Sequence, residues 1–360
     1  MSWEDKVRKV IPYTPGDQPN KPGMVKINTN ECPYPPAPGV ERALRELDIS
    51  RLRLYPDTTA APLAKALAQY YGVKEQQVFV GVGSDDVISV AFQTFFNGEE
   101  PIFFPDITYS FYDVWADLYR IPYEVIPLHA DFRLHAEDYK RPNGGIIFHN
   151  PNAPTGVYEP LSVVEEITAA NPDVVVMVDE AYIDFGGESA LKLLDRYENL
   201  LIVRTFSKSR AMAGMRIGFA IGNEKLIRCL NDVKFSINSY TMNLPSIVCG
   251  AASVQEEDYF QETLGKIIAT RERVKEELHR LGFTFPDSQT NFLFVTHPDK
   301  KAEEIYEALK QKDIYVRYFH KPEIENYLRI SIGTDEEMDK LLDFLRDYLG
   351  GNRNGIQNAE

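Results

Sequence analysis

The sequence lacks the features that would place the protein in a membrane or on nucleic acid. The apolar run at the centre of the chain, Val174 to Val178, is far too short to span a bilayer. Residues 1–10 are polar and charged, so we expect no secretory signal and a cytoplasmic location. The 360 residues carry a formal charge of −15, which argues against nucleic-acid binding because that function requires a basic surface.

Cysteine and the common metal and dinucleotide motifs are equally scarce. Three scattered cysteines, Cys32, Cys229 and Cys249, indicate reduced thiols rather than a disulfide framework. The six histidines form no HExxH motif and have no CxxC partner, so we expect no metal site. The glycine-rich turn at residues 81–86 ends in Asp86 and is not GxGxxG, which disfavours an NAD-dependent dehydrogenase.

Proline is concentrated in the first forty residues, and this predicts an extended arm that packs over the rest of the protein. From residue 78 onwards, short apolar runs alternate with helical patterns, which predicts a mostly parallel sheet. The runs are apolar throughout, as is typical of strands covered by helices on both faces. The predicted strands of this sheet are residues 78–82, 101–104, 123–127, 145–149, 174–178, 200–205 and 217–221.

The character of the chain changes after a long amphipathic stretch at residues 258–281. Strands at 290–295, 314–319 and 328–332, with helices at 302–311 and 335–349, predict a compact α+β unit. We therefore expect an arm and the start of a small domain in residues 1–45 and a large domain in 46–250. The small domain would continue through 251–350, followed by a polar tail at 351–360.

Two polar segments that follow predicted strands are suited to a phosphate group. Gly83, Ser84 and Asp85 begin a helix, where free N–H groups and the helix dipole attract anions, although an ordinary tight turn uses the same residues. Thr205 and Ser207 end another strand and offer hydroxyls. Arg216 follows them, and its planar guanidinium suits bidentate phosphate binding.

Two further strand ends are suited to an aromatic ring. Asp179 directly follows five apolar residues, which is costly unless it is solvated, caps a helix or meets a positive charge. A protonated pyridine nitrogen is such a charge. Tyr182 could then bind the ring oxygen, and the loop 150–156 is either a proline-rich turn or a support beside the ring. Lys208 supplies an amine that can condense with an aldehyde, so together the segments predict pyridoxal phosphate.

The motifs resemble those of the pyridoxal-phosphate aminotransferases of fold type I, the aspartate aminotransferase type. Within that class they are similar to the histidinol-phosphate aminotransferase family, and the resemblance covers nearly the whole chain. It implies an α/β fold with a mostly parallel seven-stranded sheet between helices and a smaller α+β domain. The residues that carry it are 150–156, 179–182, 205–208, Arg216, 27–31, 54–57, 78–86, 106–109 and 328–334.

The resemblance also implies roles for individual residues. Lys208 would bind the cofactor covalently and move the proton, Asp179 would pair with the pyridine nitrogen, and Tyr182 would contact the ring oxygen. Tyr109 would stack on the ring. The phosphate would be held by Gly83, Ser84, Asp85, Thr205, Ser207 and Arg216.

The same resemblance implies a shared active site and an anionic substrate. Tyr55 would reach the site of a partner subunit, which makes the protein a homodimer. Arg317 and Arg329 would bind the anionic end of the substrate, with Tyr13 and Asn30 closing over it from the arm.

One position departs from the family pattern. Ala153 stands where relatives often have an asparagine that contacts the ring oxygen, so Asn152 is expected to replace it.

The implied reaction is reversible amino transfer between L-histidinol phosphate with 2-oxoglutarate and imidazole acetol phosphate with L-glutamate, in L-histidine biosynthesis. Two related activities would use the same cofactor site, namely an aromatic amino-acid aminotransferase and a threonine-phosphate decarboxylase. A transcription regulator with an aminotransferase-like domain is disfavoured, because the acidic chain has no added basic helix-turn-helix segment.

Overall fold

A computed structural model describes residues 2–13 and 16–350 of the chain. The expected polar tail at residues 351–360 lies outside this part. Within the described residues, no helix combines the length and the apolar character needed to cross a membrane.

A seven-stranded, mostly parallel sheet forms the centre of the fold, as the sequence predicts. Its strands occur in the order β2-β8-β7-β6-β5-β3-β4, and β8 alone runs antiparallel to both of its neighbours. All seven are within two residues of their predicted positions. They are β2 (Val78–Gly81), β3 (Ile102–Pro105), β4 (Tyr123–Ile126), β5 (Ile146–His149), β6 (Val176–Asp179), β7 (Leu200–Thr205) and β8 (Gly218–Gly222).

Helices cover both faces of this sheet, and therefore its central strands are buried throughout. Three of these helices, α5 to α7, are absent from the sequence-based prediction. Asparagine side chains at positions 223 and 243 cap the N-termini of α6 and α7 by accepting backbone N–H groups. The helices are α1 (Pro38–Arg45), α2 (Ala61–Tyr71), α3 (Ser84–Phe95), α4 (Tyr112–Tyr119), α5 (Leu161–Ala170), α6 (Glu224–Ile237) and α7 (Leu244–Val254).

The C-terminal part builds two small sheets around a second apolar core. An antiparallel sheet has the order β11-β12-β9, and β10 pairs in parallel with β1 of the N-terminal arm. The arm therefore does pack over another part of the chain. The elements are β1 (Val25–Lys26), α8 (Glu257–Arg280), β9 (Phe292–Val295), α9 (Ala302–Lys310), β10 (Ile314–Tyr315), β11 (Arg317–Tyr318), β12 (Leu328–Ser331) and α10 (Asp335–Gly350).

The prediction of one strand at residues 314–319 was wrong. The chain divides at Val316, because β10 finds its partner in the arm whereas β11 pairs with β12 on the other side. The division of the whole chain into domains near residues 45, 250 and 350 stays a prediction.

Candidate active site

A pocket opens where β6 and β7 end and α3 begins. This is the edge of an open α/β sheet at which ligands bind. Nine residues singled out in the sequence line it together, namely Ser84, Asp85, Tyr109, Asp179, Tyr182, Thr205, Ser207, Lys208 and Arg216.

Lys208 presents its amine to this pocket. The turn that carries it is held by the fully buried Phe206, whose backbone N–H donates to the Ile217 carbonyl. The Lys208 Nζ atom donates to the Thr29 carbonyl over 3.2 Å and lies 5.6 Å from the centre of the Tyr182 ring. Within the described residues it forms no ion pair with a carboxylate, so the amine is available for chemistry.

The phosphate end of the pocket is shaped by two glycines. Gly83 has a φ of +85°, and a Cβ atom there would collide with the Arg216 guanidinium. A Cβ atom on Gly218 would overlap the backbone of Gly83 and Ser84. The close approach leaves the N-terminus of α3, which has no side-chain cap, open beside Arg216. An anion is favoured at such a helix start.

Hydroxyls and a guanidinium complete this end. Thr205 Oγ1 lies 3.0 Å from Ser207 Oγ, and an Arg216 Nη atom lies 3.5 Å from the same Ser207 oxygen. Arg216 also pairs with the Asp85 carboxylate at 3.1 Å. A carboxylate repels phosphate, so only the backbone N–H of Asp85 is suited to the predicted cofactor contact, while its side chain orients Arg216.

Tyr109 is fixed by the same carboxylate. Its hydroxyl donates to Asp85 Oδ1 over 2.7 Å, and burial together with Asp85 raises the pKa of the phenol far above its ordinary value. Tyr109 therefore stays neutral with its ring at the pocket wall, and its stacking on a cofactor ring stays a prediction.

Asp179 is only 1% exposed at the base of the pocket. One carboxylate oxygen accepts the Ala181 N–H over 3.0 Å, and the other lies 3.4 Å from the Tyr112 hydroxyl. Burial and the nearby Asp179 charge raise the pKa of Tyr112, which therefore remains a neutral donor.

His149 is a residue of this site that was not predicted. Its Nε2 atom lies 3.0 Å from Asp179 Oδ2, and neither ring nitrogen has a hydrogen-bond partner among the described residues. The usable signal is strand register, since His149 is paired directly with Asp179 across β5 and β6.

Tyr182 faces the pocket with its hydroxyl bound by the arm. The Asn30 Nδ2 group donates to the Tyr182 oxygen over 2.9 Å. Asn152 lies outside the pocket lining, with its amide donating to Ile107 O and Thr155 Oγ1. The Asn152 Oδ1 atom is buried without a partner in the described residues, but an amide oxygen can only accept. A contact with the cofactor ring oxygen would need the NH₂ group that is engaged here, so the predicted role of Asn152 stays a prediction.

The residues present fit pyridoxal phosphate. A free amine, a buried carboxylate and an uncapped helix N-terminus beside an arginine match its aldehyde, its pyridinium and its phosphate. A buried carboxylate is costly without a cation, and no lysine or arginine of the described residues pairs with Asp179, whose ionisable neighbour there is the His149 ring. A positive group in the pocket would therefore stabilise Asp179.

Arg317 and Arg329 lie directly opposite each other on β11 and β12. Like charges in this arrangement destabilise a sheet unless an anion lies between them. The Cζ atoms of both lie within 5.5 Å of the Phe319 ring centre, and neither guanidinium pairs with a carboxylate among the described residues. Burial, with a contribution from Arg317, lowers the pKa of Arg329, and its Nε atom has no hydrogen-bond partner in the part of the chain that the structure describes.

Two further predicted residues lie away from the cofactor pocket. Tyr13 stacks on Phe111 with 4.3 Å between ring centres and borders, with Arg317, a neighbouring cavity of about 570 Å³. Tyr55 is 81% exposed and stacks on Tyr240, far from the pocket of its own chain.

Comparison with known proteins gives a consistent result. The family model described as aminotransferase class I and II matches residues 22–345. The chain is 49% identical to histidinol-phosphate aminotransferase of Lactococcus lactis subsp. cremoris (strain SK11), over 97% of this chain and 98% of that protein. It is also 49% identical to histidinol-phosphate aminotransferase of Clostridium acetobutylicum, over 96% and 99% of the two chains.

A solved structure confirms the fold. Histidinol-phosphate aminotransferase from Sinorhizobium meliloti in complex with pyridoxal-5'-phosphate superposes with a TM-score of 0.81 at 23% identity, covering 91% of each chain. The family match spans most of the sequence, including the strand ends that form the pocket. The chain thus belongs to the aminotransferase class I and II family of pyridoxal-phosphate enzymes.

Proposed function

We propose that this protein is a histidinol-phosphate aminotransferase that acts in L-histidine biosynthesis in the cytoplasm. It would transfer an amino group reversibly between L-histidinol phosphate and 2-oxoglutarate, giving imidazole acetol phosphate and L-glutamate. The observation that carries the substrate assignment is the pair Arg317 and Arg329, two cross-strand guanidinium groups without carboxylate partners among the described residues. The names of relatives at 49% identity support the same reaction.

The proposed chemistry assigns one task to each pocket residue. When bound, pyridoxal phosphate supplies an electron-withdrawing ring that stabilises negative charge at the substrate's reacting carbon. Lys208, whose amine donates to the Thr29 carbonyl in the pocket, removes and returns the proton at that carbon. The buried negative charge of Asp179 holds a proton on the ring nitrogen, and Tyr182 donates toward the ring oxygen.

The arginine pair accounts for the use of two different substrates. Histidinol phosphate carries a phosphate at the end away from the reacting carbon, and glutamate carries a carboxylate there. A planar guanidinium fork binds either anion in a bidentate manner. The two strands that carry these arginines, β11 and β12, pair with each other, and β12 also pairs with β9. The anion would therefore be bound on a rigid surface.

A half-reaction test separates this proposal from the two related activities. The cofactor-loaded protein is mixed with histidinol phosphate, phenylalanine or threonine phosphate, and the change in cofactor absorbance is followed. We expect histidinol phosphate to react with a kcat/KM about 100-fold above that of phenylalanine. The phenylalanine side chain has no anionic group for the arginine pair to bind. Equal or faster reaction of phenylalanine would favour the aromatic enzyme, and release of carbon dioxide from threonine phosphate would favour the decarboxylase.

Histidinol without its phosphate is the matched control substrate. Its kcat/KM with the unaltered protein should be low. Arg317→Ala should reduce the ratio of kcat/KM for histidinol phosphate to kcat/KM for histidinol. If both substrates react equally well before and after the substitution, the arginine pair does not select the phosphate.

We also propose that the protein is a homodimer with shared active sites. The support is an exposed apolar surface around Tyr55, since single exposed apolar residues are ordinary but a cluster indicates an interface. Tyr55 contacts Tyr240 on this surface although the two lie in loops that are far apart in the sequence. Its other exposed apolar members are Ile49, Leu52, Leu54, Phe235 and Ile237.

Mixing two inactive variants tests this shared site. Lys208→Ala and Tyr55→Ala proteins are each expected to have little activity, and unfolding and refolding them together should restore it. The mixed dimer would contain one complete site, made by Lys208 of one protomer and Tyr55 of the other, so about a quarter of all sites should work. Mixtures that remain as inactive as the separate variants would contradict the shared site.

A further inference from the structure

The Tyr182 hydroxyl is bound by a segment that the cofactor chemistry above leaves unused. Asn30 lies in the arm with a φ of +56° and is only 1% exposed. Both ends of its side-chain amide are engaged, with Nδ2 at Tyr182 and Oδ1 at Ser331. Asn291 anchors the backbone of the same residue by donating to the Asn30 carbonyl over 3.0 Å.

The hydrogen bonds around Ser331 have a defined direction. The Asn30 backbone N–H can only donate, and it does so to Ser331 Oγ over 2.8 Å. The Ser331 proton is then free to go to Asn30 Oδ1, which lies 2.9 Å away. Since that oxygen faces Ser331, the Asn30 NH₂ group is the part that faces Tyr182.

This direction determines where the Tyr182 proton points. The phenol oxygen accepts the Asn30 N–H over 2.9 Å, so its own proton cannot lie along the same line. No other acceptor of the described residues takes that proton. It is therefore directed into the pocket, where a ligand oxygen can accept it.

We propose that Asn30 is a positioning residue that orients the Tyr182 proton toward the ring oxygen of the bound cofactor. This inference rests on the proposed function for the identity of that oxygen. It differs from the predicted role of Asn30 in closing over the substrate, because both ends of the side chain are already engaged inside the protein. Ser331 follows Arg329 by two residues on β12, so the hydrogen-bonded chain begins on the strand that carries the substrate arginine.

The bound cofactor provides a readout apart from turnover. A hydrogen bond from Tyr182 stabilises negative charge on the ring oxygen, and that oxygen then holds the proton on the neighbouring Lys208 nitrogen less tightly. Loss of the hydrogen bond should therefore raise the pH midpoint at which the absorbance of the lysine-bound cofactor changes. The substitutions below leave the other charged or titratable groups that face Tyr182 unchanged. These groups include Lys208, His149, Tyr109, Tyr112 and Arg329.

The test is an absorbance titration of the holoenzyme with pH. Asn30→Gly removes the amide without strain, because glycine accepts a positive φ, and should raise the midpoint by about half a unit to one unit. Asn30→Asp offers only acceptor oxygens at neutral pH, so it should turn the Tyr182 proton away from the ring and raise the midpoint further. Asn28→Ala is the matched control in the same segment, since the Asn28 amide donates to Asp17 O instead, and should leave the midpoint unchanged.

A double-mutant cycle with Tyr182→Phe distinguishes orientation of the hydroxyl from a general disturbance. Asn30→Gly should shift the midpoint in the unaltered protein and should have no further effect once the hydroxyl is absent. An unchanged midpoint in Asn30→Gly and Asn30→Asp, or an equal shift in the Tyr182→Phe background, would overturn the inference. Neither outcome bears on the substrate, because the titration uses no substrate, and failure of the proposed function would appear only in the half-reactions.

Discussion

Replacing Lys208 by alanine is expected to abolish both turnover and the visible absorbance of the lysine-bound cofactor. Lys208 is the one lysine among the described residues that line the pocket, so the substitution removes the amine that would bond to the cofactor aldehyde. It also removes the group proposed to move the proton at the reacting carbon. Loss of a positioned base alone costs about 10²- to 10⁴-fold, and loss of the covalent link adds to it. The measurements are steady-state activity with histidinol phosphate and the absorbance spectrum after addition of the cofactor.

The control for Lys208→Ala is Lys192→Ala, which removes an exposed lysine that pairs with Glu188 on the surface. That variant should keep its spectrum and its activity. The Lys208→Ala protein should also unfold at nearly the normal temperature, because the amine contributes one hydrogen bond to the Thr29 carbonyl. A variant that retains both the absorbance and the activity would refute the central assignment.

Replacing Asp179 by asparagine is expected to lower kcat by about 10²- to 10³-fold in a folded protein. Asparagine keeps the size of the side chain and one oxygen for the Ala181 N–H, so the local structure should survive. What is lost is the buried negative charge that keeps the ring nitrogen protonated. Without it, the ring withdraws fewer electrons from the reacting carbon.

Asp195→Asn is the matched control for this substitution, since it makes the same chemical change at an exposed carboxylate. It should leave kcat unchanged. Near-normal kcat in Asp179→Asn would mean that the charge is unnecessary, whereas failure of that variant to bind the cofactor would assign Asp179 a role in binding instead of in catalysis.

The pocket was predictable because its parts follow strands. Asp179 and the turn at Gly83 come directly after short apolar runs, and Thr205 is separated from one by Arg204 alone. Parallel strands bring such positions to one edge of the sheet. His149 has the same position relative to β5, but its importance depends on pairing with Asp179 on the neighbouring strand. The register between strands that are distant in sequence cannot be predicted from local composition. For this reason the place of His149 beside Asp179 was not predicted.

The less predictable features depend on contacts between remote parts of the chain. The sequence of residues 314–319 is typical of one strand, and it is divided because its two halves pair with different partners, the arm and β12. The resemblance implies that the arm closes over the substrate and that Asn30 binds it. The hydrogen bonds of the Asn30 amide to Ser331 of β12 and to Tyr182 join parts of the chain that are remote in sequence. Helices α5 to α7 are not predicted, although Asn223 and Asn243 are N-cap residues that precede α6 and α7 in the sequence.

The contact between Asn30 and Ser331 has a consequence for how the protein is made. The two residues are 301 positions apart, so the arm emerges from the ribosome long before its partner strand exists. At about 5 to 20 residues per second, the wait is roughly 15 to 60 s. The central sheet can form during synthesis, but the arm and Tyr182 acquire their final contacts only after translation of the C-terminal strands. A nascent chain stalled before β12 would therefore have most of the cofactor pocket. It would lack Ser331, which holds the Asn30 amide against the Tyr182 hydroxyl.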